Sequence, residues 1–297
     1  SGLRKSYGDL EAVRGIDLEV SKGEIFAFLG PNGAGKTTTI SVLEGYLDRD
    51  AGAVEVLGID PAEAGRDWRG RIGLVLQECQ MERLLTVRET LEMYAGYYRH
   101  TRSVVETIEL VGLTDKADDR AGRLSGGQQR RLDVAVALIG DAELLFLDEP
   151  TTGFDPSARR AAWQVIEGLR DLGKTVMLTT HYMDEAQALA ARVAVIAAGK
   201  IIAAGSPDDL GGRRDADALI SFRLPESADA GAIEAAVAGE WTRSNGRLSL
   251  RTADPTRSLH DLTGWALASG VDLDGLEVAR PSLEDVYLEL TRQERDS

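Results

Sequence analysis

Gly30-Pro31-Asn32-Gly33-Ala34-Gly35-Lys36-Thr37 fits the template G-x-x-x-x-G-K-[ST], a glycine-rich loop that opens directly into a helix. The chemistry demands that spacing. Glycines at 30, 33 and 35 let the backbone close on phosphate oxygens and take positive φ where the turn requires it. The loop amides then face inward at a helix N-terminus, where oriented N–H groups and the helix dipole favour an anion. Lys36 can reach β- and γ-phosphates, and the Thr37 hydroxyl can ligate Mg²⁺. An ordinary strand-to-helix turn would share these letters, so the flanks matter. Ile25–Leu29 ahead is an apolar run of strand length, and 36–47 behind reads as a helix.

A pair of carboxylates forms the second constellation. Asp148 and Glu149 close the fully apolar run 144–147, which reads as a central parallel strand. Ligands of open α/β sheets bind at such carboxyl ends. There Asp148 suits a carboxylate that holds Mg²⁺ through water, and Glu149 a base that orients an attacking water. A helix-capping acidic pair is the alternative. Leu124-Ser125-Gly126-Gly127-Gln128 precedes the apolar stretch 132–139. By itself it is an N-cap serine with two turn glycines. Asp155 stands before Pro156 as an N-cap candidate, and His181 follows Thr179-Thr180.

In this order these stretches resemble the nucleotide-binding subunit of an ABC transporter. The set is the loop 30–37, Gln77, the signature 124–128, the strand and carboxylates 144–149, the Asp155 loop and His181. The resemblance spans roughly residues 3 to 210. It implies an α/β fold, a P-loop NTPase core with a helical subdomain inserted at about 79–139. It further implies that Tyr7 stacks on adenine, that Gly30, Pro31, Asn32, Gly33, Ala34, Gly35, Lys36, Thr37 and Thr38 cradle ATP, and that Gln77 joins Thr37 and Asp148 on Mg²⁺. Ser125, Gly127 and Gln128 match the signature that meets the γ-phosphate across a dimer interface. Asp155 matches the loop through which two sites sense each other, and His181 the switch histidine on the γ-phosphate. Lys36, Glu149 and His181 are then the catalytic set. Phe154 stands where the family more often has Leu, and the edge strand that usually precedes Leu3 is missing. His100 and His260 match nothing and read as surface residues.

Pro281-Ser282-Leu283-Glu284-Asp285-Val286-Tyr287 is similar to the closing motif of drug-resistance-type ATPases that serve ABC-2 exporters, and Gln129-Arg130-Arg131-Leu132-Asp133 looks like that branch. A plain amphipathic helix would also place Leu283, Val286, Tyr287 and Leu290 on one face. The resemblance implies a homodimer formed head to tail around ATP and a separate transmembrane permease. The chain would be cytoplasmic, held to the inner face of the plasma membrane by that permease. A soluble ATPase of translation or chromosome maintenance is a competing class. Those members resemble tandem domains or carry a long coiled coil, and neither pattern occurs here. A nucleotide sensor without turnover would have no need of Glu149.

The rest of the chain must position these groups. Its 297 residues suit one large α/β domain and a smaller one, and a 43% hydrophobic content suffices for packed cores. With 49 acidic against 34 basic residues the net charge is −15, which disfavours nucleic acid and bare anionic lipid as partners. A single cysteine, Cys79, excludes an internal disulfide. No run approaches the ~20 apolar residues of a membrane span. Strands are expected at 3–7, 16–20, 54–57, 72–76, 176–179 and a hairpin at 193–204, with a helix from Pro156 to Gly173. Composition shifts at 205–217, which predicts an ATPase domain over 1–212 and a C-terminal α+β, ferredoxin-like module over 213–297. That module reads as βαβαβα, with strands at 218–222, 247–251 and 275–278.

Overall fold

Gly8 and Asp9 turn the chain back at once, so that Leu3–Tyr7 (β1) pairs antiparallel with Leu10–Ile16 (β2), Tyr7 opposite Leu10. The sequence had suggested 16–20 for the second strand. A two-residue turn fixes register and recruits the residues next to it. Leu18 and Val20 instead leave the hairpin and pack as single side chains against the core. This computed structural model describes residues 1–76, 82–210, 217–225, 230–244 and 246–288. They divide into one unit over Ser1–Pro207 and another that begins at Asp208.

In the first unit, Ile25–Leu29 (β3) is buried at every residue, as a strand covered on both faces must be. The helix after the loop, Lys36–Leu43 (α1), is shorter than the sequence suggested. Gly45 takes φ 69° just beyond it and stops it. The stretch 54–57 forms no strand. Leu57 at φ 53° and Gly58 at φ 82° reverse the chain, leaving only a bridge from Val56 to Ile59. Arg66–Arg69 (α2) and Ile72–Val75 (β4) follow. Gln77, Cys79 and Met81 fall outside the described residues.

Three helices come next. Val87–Ala95 (α3) starts at a capping box of Thr86 and Glu89, Val104–Leu110 (α4) at Ser103, and Gly126–Ile139 (α5) at a capping box of Ser125 and Gln128. α3 and α4 pack on α5 and on each other, burying Val87, Leu91, Ile108 and Leu132. Leu144–Asp148 (β5), Pro156–Asp171 (α6), Thr175–Thr180 (β6), Met183–Leu189 (α7), Arg192–Ala197 (β7) and Lys200–Gly205 (β8) complete the unit. The sheet runs β4-β5-β6-β3-β7-β8. The first five strands are parallel, and β8 returns antiparallel through Ala198 and Gly199, both at positive φ. Leu29 sits opposite Thr180, and Asp148 opposite Thr179. That register brings the carboxyl ends of β3, β5 and β6 to one edge.

The second unit holds Ala218–Arg223 (β9), Ala230–Ala236 (α8), Glu240–Ser244 (β10), Arg247–Thr252 (β11), Pro255–Ser269 (α9) and Asp274–Ala279 (β12). Its antiparallel sheet has the order β10-β11-β9-β12, a split βαβ of ferredoxin-like form. The sequence missed β10 and so read βαβαβα where the structure, counting the helical stretch after β12, has βαββαβα. Glu240-Trp241-Thr242-Arg243-Ser244 is an exposed edge strand with one aromatic residue, too polar to signal itself. Ile220, Phe222, Ile233, Leu248, Leu250 and Leu262 form the core. A helical stretch over 283–288 begins at Ser282, whose hydroxyl accepts from Asp285 N at 3.1 Å. Among the described residues no helix is long and apolar enough to cross a membrane.

Candidate functional site

The phosphate loop leaves β3 beneath strands that leave no room for side chains. A Cβ on Gly30 would meet the Ile196 carbonyl at 2.4 Å. Gly35, at φ 107°, would drive one into the Ala12 carbonyl at 2.5 Å. Only glycine fits either position. Lys36 then folds back under the loop, 5% exposed. Its Nζ donates to the Gly30 carbonyl at 2.7 Å and the Pro31 carbonyl at 3.2 Å. Burial lowers the pKa of this ammonium, while Glu149 and Asp148 oppose the shift. Thr37 is exposed at the start of α1, with Thr38 half-buried behind it.

Glu149 is the point on which the catalytic candidates converge. Its Oε1 lies 3.8 Å from Lys36 Nζ and 3.3 Å from His181 Nδ1. That nitrogen is buried and makes no hydrogen bond to any described group. Oε2 accepts from the Thr152 hydroxyl at 3.1 Å. The backbone of Glu149 is left-handed, φ 45°, a conformation that costs a non-glycine residue roughly 1–3 kcal/mol. Neighbours hold it there. Glu149 N donates to Thr179 Oγ1 at 3.0 Å and to the Thr179 carbonyl at 3.2 Å. Thr179 Oγ1 in turn donates to Asp148 Oδ1. One strand-end threonine therefore holds the carboxylate of Asp148 and the main chain of Glu149.

Asp148 and Thr37 offer hard oxygen donors, the set that suits Mg²⁺ completed by water and phosphate. Burial, and then the charge of Asp148, push the Glu44 carboxyl up to about 7. Gln77, the third expected Mg²⁺ contact, lies outside the described residues.

Other expected residues stand apart. Ser125 and Gln128 spend their side chains on each other's amides, at 3.4 and 2.9 Å. Among the described residues nothing bonds Ser125, Gly127 or Gln128 to the phosphate loop. Asp155 caps α6, its Oδ1 accepting from Ser157 N and Ala158 N at 2.8 and 2.9 Å. Tyr7 ends β1 half-exposed, and His100 and His260 are at the surface. The sequence reading gave no role to Thr179, Thr152 or Glu185. Glu185 is wholly buried, and burial raises its pKa. Its Oε1 accepts from Thr151 Oγ1 at 2.7 Å and Trp163 Nε1 at 3.1 Å. Its sign was a glutamate at an apolar position of α7, beside buried Ala186 and Leu189.

A glycine-rich loop over a buried lysine, facing a strand-end Asp-Glu pair across one intervening strand, defines a P-loop ATPase. The "ABC transporter" family model matches residues 13–152, and the model "ABC transporter domain-containing protein-like, C-terminal domain" matches 218–282. A daunorubicin resistance ATP-binding protein of Streptomyces coeruleorubidus is 38% identical, over 99% of this chain and 95% of its own. A Nod factor export ATP-binding protein I of Rhizobium sp. (strain N33) is 39% identical, over 100% and 97%. The first unit resembles a dimeric ATP-binding cassette solved in a post-hydrolysis state with ADP and Pi. That likeness has a TM-score of 0.61 and 26% identity over 69% of this chain and 96% of the other. The chain belongs to the ABC transporter family and is one of its ATPases.

Proposed function

We propose that this protein is the ATP-hydrolysing subunit that energises export through a separate ABC-2-type permease, acting as an ATP-sandwiched head-to-tail dimer. The observation that carries the catalytic part is the approach of Lys36 and His181 to one oxygen of Glu149. Glu149 is the base that orients water. Lys36 and His181 bind the γ-phosphate, and the loop 30–38 cradles the phosphates while Tyr7 stacks on adenine. Thr37, Gln77 and Asp148 would hold Mg²⁺, which supplies charge neutralisation at the β- and γ-oxygens. Ser125, Gly127 and Gln128 of one subunit cover the ATP of the other, and Asp155 lies at that interface. Export is the activity named for the Nod factor relative, and drug resistance for the Streptomyces one. The chain would work in the cytoplasm, peripheral to the inner face of the plasma membrane through its permease.

Two experiments bear on partner and boundary. Tyr46, Ile72, Leu76, Tyr94, Tyr98 and Asp133 line a groove of about 610 Å³ beside α5, and Leu84, seven residues beyond Gln77 in the sequence, is 69% exposed. An amphipathic helix of the permease is the occupant such a groove suits. Tyr46→Glu with Leu84→Glu puts charge where an apolar face would dock, so reconstituted transport should fall about tenfold or more while the isolated chain keeps its ATPase. Unimpaired transport counts against the docking site. We also assign 1–212 to the ATPase domain and 213–297 to a separate module. A 1–215 fragment should bind ATP as the full chain does; loss of binding in a folded fragment contradicts the boundary.

A further inference from the structure

We propose that Arg130 is a positioning residue that ties α5 to Glu149 by clamping the main chain on both sides of it. Arg130 lies one turn into α5 and is buried, 8% exposed. Its three nitrogens fan out to three carbonyls. Nε donates to Pro150 O at 3.1 Å, Nη2 to Asp148 O at 2.8 Å, and Nη1 to Leu76 O. Asp133 Oδ2, one turn along the helix, stands 3.6 Å from Nη1.

Two of those carbonyls bracket Glu149, the residue held at φ 45°. The third belongs to Leu76, which follows β4 and immediately precedes Gln77 in the sequence. A planar guanidinium presents its donors in a fixed fork, and charge-assisted bonds to buried carbonyls are among the stronger kind. Hence a shift or tilt of α5 is transmitted to the peptides that carry Glu149 and to the chain entering Gln77. α5 starts at Ser125, so the helix that would cover ATP in a partner also sets the posture of its own subunit's base. Lysine cannot reproduce this contact. Its single ammonium is a point charge that cannot span carbonyls arranged as a fork.

This inference rests on Glu149 being the catalytic base. The test uses the full chain, with ATP turnover and ATP affinity measured for Arg130→Lys, Arg130→Ala and Glu149→Gln. Both Arg130 variants should lose about ten- to a hundredfold in kcat with the KM for ATP nearly unchanged, the pattern of a contact that matters only in the transition state. Guanidinium ion at millimolar concentration should restore part of the kcat of Arg130→Ala, and should do nothing for Glu149→Gln. Unchanged kcat in a folded Arg130 variant overturns the proposal. Equal losses of turnover and ATP affinity, absence of guanidinium rescue, or loss of cooperative melting in both variants do so too, by making Arg130 a packing residue. An active Glu149→Gln would overturn the assignment of the base itself, and an inactive one beside normal Arg130 variants only the clamp.

Discussion

Lys36→Ala should lower ATP turnover at saturating MgATP by about 10²–10³-fold, the usual loss when an electrostatic clamp is removed from a reacting oxyanion. The ammonium is buried beneath the loop, held by the Gly30 and Pro31 carbonyls, and it approaches Glu149 at 3.8 Å. It is the only side-chain cation of the loop 30–37. Truncation removes the charge that would face a γ-phosphate and leaves Glu149 without the ammonium 3.8 Å away. Half-buried carboxylates deprived of a cation also repel an incoming anion, so ATP affinity should weaken together with kcat. Phosphate release by the purified chain measures the effect. Turnover at the unaltered rate would remove Lys36 from the site.

Glu149→Gln should be as severe for a different reason. Glutamine keeps the shape of glutamate and an oxygen for the Thr152 hydroxyl, and the main-chain N–H stays held by Thr179. The fold and the left-handed turn should therefore persist. A carboxamide cannot accept a proton, however, and a positioned general base contributes about 10²–10⁴-fold. ATP should bind as before while turnover falls by that factor. Single-turnover measurements separate the two, since bound ATP should persist with no phosphate released. Hydrolysis at the normal rate would place the base elsewhere, and His181, 3.3 Å away, would be the first residue to examine.

The site was legible in the sequence where its chemistry constrains the backbone. Gly30 and Gly35 are required by carbonyls that a Cβ would strike, and such positions admit no substitute. Ile25–Leu29 and 144–147 were legible because strands buried on both faces have unbroken apolar runs. Strands 16–20 and 54–57 were misplaced because short apolar alternation does not say which neighbour it will pair with. Turns decided that instead, at Gly8-Asp9 and at Leu57-Gly58. β10 escaped notice because an edge strand with one face in water needs few apolar residues.

Side-chain partnerships were the least legible. Nothing local says that Thr179 would hold both Asp148 and Glu149, because it arrives from the adjacent strand by register. Arg130 sat in view beside the signature. Only its helical spacing from buried Val134 and Ala137 hinted that it faces inward. Burial there also pushes Asp133 up to about 6 against the pull of Arg130, a shift that composition alone cannot show.

Among the described residues nothing joins the start of α5 to the phosphate loop of the same chain, so a phosphate at Ser125 and Gly127 would have to come from elsewhere. A second subunit turned head to tail would supply one, with ATP as part of the interface. Light scattering of Glu149→Gln, with and without MgATP, tests this most directly. Without nucleotide the mass should be that of one chain. With MgATP it should become that of two, because ATP that cannot be hydrolysed keeps the interface closed. Adding Ser125→Arg should return the mass to one chain while ATP still binds. A Glu149→Gln protein that binds ATP yet stays monomeric at high concentration would contradict the ATP-sandwiched dimer.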